Sequence, residues 1–138
     1  MINVINTALS GLNAATKKVE AAASNIANVS SAGALDESNG QAPYSAVTTA
    51  QTAATDNNGT GLGVRSQIIP KDPGFVQAFD PNSPFADENG VIGVPNVNLA
   101  EEAVNLKLAE VTYKANVSVL EVADELSDGL LRTFDRDA

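Results

Sequence analysis

The chain has 138 residues, a net charge of −9, and no cysteine, histidine or tryptophan. Without cysteine there is no disulfide, thiolate metal site or cysteine nucleophile, and without histidine the commonest general base and metal ligand is missing. An acidic chain with no basic patch is a poor partner for nucleic acid or an anionic membrane, and no apolar run reaches the roughly eighteen residues of a membrane span.

Residues 2–29 carry an apolar line: Ile2, Ile5, Leu9, Leu12, Thr16, Val19, Ala23, Ile26. Its spacings alternate three and four, a heptad seam with Thr16 as its one polar member. The line predicts a long amphipathic helix, packed on its own domain or on other chains. The helix runs into ASNIANVSSAG at 23–33, where Asn25 and Asn28 flank Ile26. Asparagine ends helices by bonding nearby backbone, which is the reading the residues favour, although both could also hydrogen-bond a neighbouring backbone. The N-terminus has no leading basic region and no continuous apolar block, so it does not read as a Sec-type signal peptide, and on that ground alone the expected location is the cytoplasm.

Between residues 30 and 96 the character changes. Segments 30–42 and 51–63 are rich in Ser, Gly, Asn, Asp, Thr and Ala and read as loops. Short β-like runs lie at 44–49, 64–69, 75–79 and 91–94, punctuated by KDPG at 71–74 and DPNSP at 80–84. They predict a small antiparallel sheet or set of hairpins.

Residues 97–134 hold no proline and only Gly129, near the end. Asn98 is the expected N-cap, with Glu101 as its capping-box partner and Glu102 favoured by the helix dipole. One line reads Val104, Leu108, Val111, Ala115, Val119, Val122, Leu126, Leu130, spaced 4-3-4-4-3-4-4. This eleven-residue repeat keeps a nearly straight helix in contact along one side. A second line comprises Leu106, Tyr113, Val117, Leu120, Leu131 and Phe134. The helix is therefore apolar over more than one face, more than a single intrachain partner covers.

These patterns give a fold class that is mainly α with a small β region. Long N- and C-terminal helices pair antiparallel, coiled-coil-like, around a small antiparallel β insertion. The organisation is 1–29 helix, 30–96 loops and β region, and 97–138 helix with a short acidic tail, the helices 1–29 and 97–134 forming one helical core. Intrachain packing falls to Ile5, Leu9, Leu12, Val19 and Ile26 against Val104, Leu108, Val111, Val119, Val122, Leu126 and Leu130. The second line, Leu106 to Phe134, is left for another chain.

The sequence offers no catalytic, metal or cofactor site. DPNSPFADENG at 80–90 lacks the ligand spacing and closing glutamate of a calcium loop. GTGLG at 59–63 lacks the lysine of a phosphate loop, and the serines have no histidine to activate them. Paired acids such as Asp87/Glu88 read as solvated charges. Neither an enzyme nor a cofactor is expected.

Four segments carry a likeness. They are ALSGLNAATKKVEAAASNIANV (8–29), GQAPYSA (40–46), FDPNSPFADENGVIGVPNVN (79–98) and EEAVNLKLAEVTYKANVSVL (101–120). In this order, over the full length, the chain resembles the bacterial flagellar basal-body rod proteins, specifically the proximal-rod FlgC type. Phe79 and Val91 stand where that family has tyrosines, and Ala103 and Leu106 where it has methionines. VSSAGALDESNG after Asn28 departs from the Asn-Thr-x-Gly-Tyr of hook and distal-rod proteins. The resemblance implies a structural subunit, exported without a cleaved signal by the flagellar type III apparatus to the periplasm. There it would polymerise by helix packing into the hollow, torque-transmitting rod around the export channel. Implied partners are its own copies, other rod proteins and the junction to the inner-membrane ring. Under that reading Asn25, Asn28, Asn96 and Asn116 are candidates for inter-subunit or helix-end hydrogen bonds. The alternatives are another flagellar axial protein or a soluble helical coiled-coil adaptor.

Overall fold

The computed structural model describes residues 2–36 and 40–136, with the backbone alone for Ile2 and for residues 134–136. Helix α1 (Ile2–Ala27) and helix α2 (Leu99–Arg136) flank four strands, β1 (Val47–Thr55), β2 (Gly61–Pro70), β3 (Phe75–Phe79) and β4 (Val91–Pro95). Two antiparallel hairpins form, β1 with β2 and β3 with β4. The expected fold class holds: two long terminal helices with a small β region between them.

α1 ends where its asparagines occur. Asn28 Nδ2 donates to the Ser24 carbonyl at 2.9 Å, and the Ser31 amide bonds back to the Asn28 carbonyl. α2 begins on Asn98, whose Oδ1 accepts from the Ala100 and Glu101 amides at 3.0 and 3.4 Å. The capping box is not completed. Glu101 instead pairs with Lys71 at 3.4 Å, and Glu102 turns into the protein interior. Lys107 and Lys114 both hydrogen-bond Glu110, which lowers its carboxyl to about 2. That cluster is exposed, so it contributes little to stability.

The segment expected as a loop at 51–63 is largely strand. Gln51 to Thr55 continue β1 and pair with β2 from Ser66 to Gly61. Ladder hydrogen bonds carry these small, polar residues, because a strand needs backbone partners more than apolar side chains.

Both hairpins turn on one sequence pattern: Asp56-Asn-Asn-Gly59-Thr60 and Asp87-Glu-Asn-Gly90-Val91. In each the aspartate Oδ1 accepts the amides two and four residues on, at 2.8 Å, and the glycine has positive φ, +79° and +77°. Alanine at either glycine is expected to cost about 1–2 kcal/mol in backbone strain. Gly90→Ala should cost more, since its Cβ would meet the Phe79 ring and Pro81 at 3.0 Å whereas Gly59 faces open space. Denaturant unfolding of the two variants checks the ranking.

The bonds from the Thr60 and Val91 amides are the leading cause that holds both aspartates below the ordinary value of 3.8. A depressed folded-state pKa stabilises above the unfolded value, and the contribution is lost as pH falls below it. Amide exchange at Thr60 and Val91, corrected for intrinsic rate, should therefore lose protection on acidification below 3.8, with the helix amides unaffected.

The helices run antiparallel. Asn25 meets Glu102, Gly11 meets Asn116, and Val4 lies beside Ala123. The seam between them is not the one expected. It is built from Ala8, Gly11, Ala15 and Ala22 on α1 against Ala109, Asn116 and Ala123 on α2, all the alanines being 5% exposed or less. A Cβ on Gly11 would lie 2.5 Å from the Asn116 carboxamide. Small residues let the backbones approach and gain dispersion contact along the whole seam. The adjacent face of α1, with Ser10, Ala14 and Ala21, is covered by the β1–β2 hairpin, where the Ser10 hydroxyl accepts the Val64 amide at 3.0 Å. α1 is thus held between α2 and the hairpin.

The large aliphatic residues assigned to intrachain packing consequently point elsewhere. Ile5, Leu9, Val19, Val104, Leu108, Val111, Val119, Val122, Leu126 and Leu130 are exposed, Leu9 by 59% and Val104 by 66%; Leu12 and Ile26 are half-buried. Reading the bulkiest line as the seam fails because alanine packs more closely than leucine between two backbones. Each line is rotated about a quarter turn from the alanine seam, taking about 100° per residue.

Candidate functional site

Two features stand out: a buried polar node at one end of the helix pair, and long apolar lines along its sides. The node is centred on Asn25, which is 1% exposed. Its Nδ2 donates to the Val47 carbonyl at 2.8 Å and to Glu102 Oε1 at 2.6 Å. Its Oδ1 accepts the Val47 amide at 2.9 Å and the Tyr44 hydroxyl at 3.2 Å. Every donor and lone pair of the carboxamide is used. Asn25 pairs with Val47 as a neighbouring strand would, so the last turns of α1 anchor the start of β1. Glu102, 5% exposed, also accepts from Asn105 Nδ2 at 3.3 Å. One side chain therefore ties α1, β1 and the first turn of α2. Sequence reading flagged Asn25 but missed Glu102, which it assigned to the helix dipole. A carboxylate on the line of Asn105 and Ala109 was the available signal.

The other asparagines also bond within the chain. Asn28 closes α1. Asn96 Nδ2 donates to the Pro73 carbonyl at 2.9 Å and its amide to Gly74, fastening α2's approach to the KDPG loop. Asn116 Nδ2 donates to its own helix at the Thr112 carbonyl, 2.8 Å away, beneath Gly11. None of these bonds requires a second chain.

The apolar lines fall on two flanks. On one, the α1 line runs beside α2's second line, and Thr16, Val19, Leu106 and Tyr113 border a shallow groove of about 320 Å³. Leu106, Val117 and Leu120 are half-buried there, while Tyr113 and Leu131 are exposed; the Phe134 side chain lies outside the described residues. On the opposite flank the Val104–Leu130 line forms a ledge next to the β1–β2 hairpin. A cleft of about 370 Å³, floored by Gly11 and Ala15, separates Leu108 from Gly63 and Val64. α2 outruns α1 beyond Leu126, with Leu130 and Leu131 exposed on the overhang.

The accessible surface is 9193 Å², against about 6,800 Å² for a compact monomer of this mass. Much of the exposed surface along the helices is lined by large aliphatic side chains, among them Leu9, Val104, Leu108, Val111, Val122 and Leu126. Among the described residues no group of three or more acids gathers into a metal site, and no helix is long and apolar enough to cross a membrane. The arrangement leaves long aliphatic lines open on both flanks of the helix pair.

Comparison with known families agrees with this geometry. Residues 5–34 match the family described as flagella basal body rod protein, and residues 88–133 match the flagellar basal body rod FlgEFG protein C-terminal family. The flagellar basal-body rod protein FlgC of Yersinia enterocolitica is 38% identical over 91% of this chain and 92% of its own length. That of Salmonella typhimurium is 35% identical over 87% of both chains. The Aquifex aeolicus protein of the same name is 27% identical over 98% of this chain and 96% of its own.

Proposed function

The chain belongs to the flagellar basal-body rod proteins of the FlgC type, and from that premise we propose how its surfaces serve the rod. It is a structural subunit of the proximal rod, not an enzyme, and it assembles with other rod components of the basal body. In our reading the helix pair is the rod-forming core. The terminal helices pack around the export channel, and residues 30–96 lie to the outside. The chain passes through the flagellar type III apparatus into the periplasm, where it meets its own copies, other rod proteins and the inner-membrane ring junction.

The observation that supports this reading is the exposure of two full-length aliphatic lines on a chain already held together by an alanine seam. Burying each large aliphatic side chain is worth roughly 1.5–3 kcal/mol, so such lines joined between neighbours resist torque without covalent links. The interface residues include Leu106, Tyr113, Val117, Leu120 and Leu131, now joined by the lines first assigned to intrachain packing. Deleting the gene from its flagellated host tests the assignment: cells that no longer swim, with no rod beyond the membrane ring, support it, and swimming cells refute it.

A further inference from the structure

We propose that the outer edge of β3 pairs antiparallel with the same edge of a second copy, centred on Gln77. The pairing goes beyond the rod reading and stands without it. The ladder decides which groups of β3 are left open. The Asn96 amide bonds the Gly74 carbonyl at 3.1 Å, and the Asp80 amide bonds the Gly90 carbonyl at 2.9 Å. Antiparallel pairs alternate between bonded and unbonded, so in this register residues 74, 76, 78 and 80 exchange bonds with the β4 side. Phe75, Gln77 and Phe79 therefore turn their N–H and C=O groups outward. Their β4 partners agree. Gly93, opposite Gln77, bonds Gly33 through both its amide and its carbonyl. Val91, opposite Phe79, bonds Asp87 through both. Among the described residues nothing pairs with the outward groups of Phe75, Gln77 and Phe79.

An open row of this kind is completed by another strand, and the sequence says which one. β3 reads Phe-Val-Gln-Ala-Phe, nearly the same in either direction. Set antiparallel about a two-fold axis at Gln77, Phe75 of each copy faces Phe79 of the other, Val76 faces Ala78, and Gln77 faces Gln77. Each outward N–H then meets an outward C=O. Aromatic pairs directly opposite stabilise a sheet, and the two central carboxamides can bond each other. No residue from 75 to 79 is charged, so no like charges are opposed. β3 also lacks the lysine, proline or bulge that blunts natural edges. Its side chains are free to meet: Phe75 is 39% and Phe79 75% exposed, on one face with the exposed Gln77. The outer edges of the β1–β2 hairpin are already partly taken, by Asn25 at Val47 and by Ser10 at Val64. A two-fold contact closes after two copies, so the dimer is a state of the unassembled chain.

Sedimentation of the purified chain, from micromolar to near-millimolar concentration, reads the pairing. About 0.15 M salt screens the repulsion between chains of charge −9. The mass should rise toward two chains, and amide exchange at Phe75, Gln77 and Phe79 should slow as it does. The Gln77 amide is not used by the hairpin, so Gln77→Pro leaves the β4 ladder whole, as proline does at an edge. It should weaken the dimer by about tenfold or more and remove the concentration-dependent protection at Phe75 and Phe79, with an unchanged melting curve. Gln77→Lys sets like charges opposite each other. It should act in the same way, and it decides the matter if the proline variant folds poorly. The chain has no cysteine, so Gln77→Cys should give a disulfide dimer on mild oxidation. Bonded residues directly opposite sit about 5.5 Å apart, inside disulfide reach. Gln67→Cys, exposed on β2, should not cross-link. A chain that stays monomeric at the highest concentration overturns the proposal. So does association that Gln77→Pro and Gln77→Lys both leave unchanged, since another surface would then join the copies. Gln77→Cys cross-linked in cells only to a different protein overturns the choice of a second copy. None of these results touches the rod reading, which the deletion strain tests on its own.

Discussion

Asn25→Leu should lower the melting temperature by about 10–20 °C, the shift that roughly 3–5 kcal/mol produces in a domain of this size. The substitution keeps the branched shape and leucine is the better helix former, but it deletes the carboxamide that makes four hydrogen bonds. Glu102 is then left as a buried carboxylate held only by Asn105, at 3.3 Å. Both polar groups of Val47 lose their side-chain partner as well, and unmade bonds of this kind cost about 1–3 kcal/mol each. Thermal unfolding followed by circular dichroism measures the loss. Amide exchange at Val47 should lose protection in the same variant, which ties the effect to the node and not to helix propensity. A companion variant separates hydrogen bonding from charge. Asn25→Asp would set two carboxyls at the 2.6 Å now spanned by a hydrogen bond, and like charges that close raise one of their pKa values. That variant should be least stable at neutral pH and recover as acidification protonates the pair. A melting temperature within a few degrees of wild type for Asn25→Leu would show that the node does not organise the fold.

The sequence declared the architecture because its signals are periodic and long. Two proline-free apolar lines mark the helices, and β3 at 75–79 is legible to its ends. Strand length at 51–55 was not legible, since Thr, Gln and Ala there owe their conformation to ladder partners six to fifteen residues away. The seam was misread for a related reason. A search for bulky residues finds apolar surface, and it does not say whether that surface faces the chain's own helix. Ala8, Ala15 and Ala22 recur every seven residues, yet alanine is also the best helix former, so its periodicity carries little weight until a partner helix is in view. Glu102 stayed hidden because only the tertiary fold brings Asn25 beside it. The turn motif containing Asp56 and Gly59 was visible as local chemistry, and its repetition at Asp87 and Gly90 was there to be found.

Val111→Glu should abolish swimming while leaving the subunit's own stability within about 0.5 kcal/mol of wild type. Val111 is 55% exposed in the isolated chain and lies on the ledge, away from the alanine seam. Its removal opens no cavity in the core, and glutamate is as good a helix former. In an assembly the same position would be dry, and a carboxylate there would have to be desolvated without a partner, a cost of several kcal/mol for each subunit added. Ala15→Leu provides the opposite dissociation. Ala15 is 4% exposed between the two backbones, so the added side chain forces them apart and should cost about 1–3 kcal/mol in the isolated subunit. Melting curves of purified protein, set beside swimming and the recovery of each variant in isolated basal bodies, distinguish the two. If Val111→Glu cells build normal rods, the ledge is not an interface. If Val111→Glu melts as low as Ala15→Leu, the ledge belongs to the fold. A wild-type melt with no rod is the combination expected of a subunit whose small residues hold it together and whose large ones, as proposed, serve its neighbours.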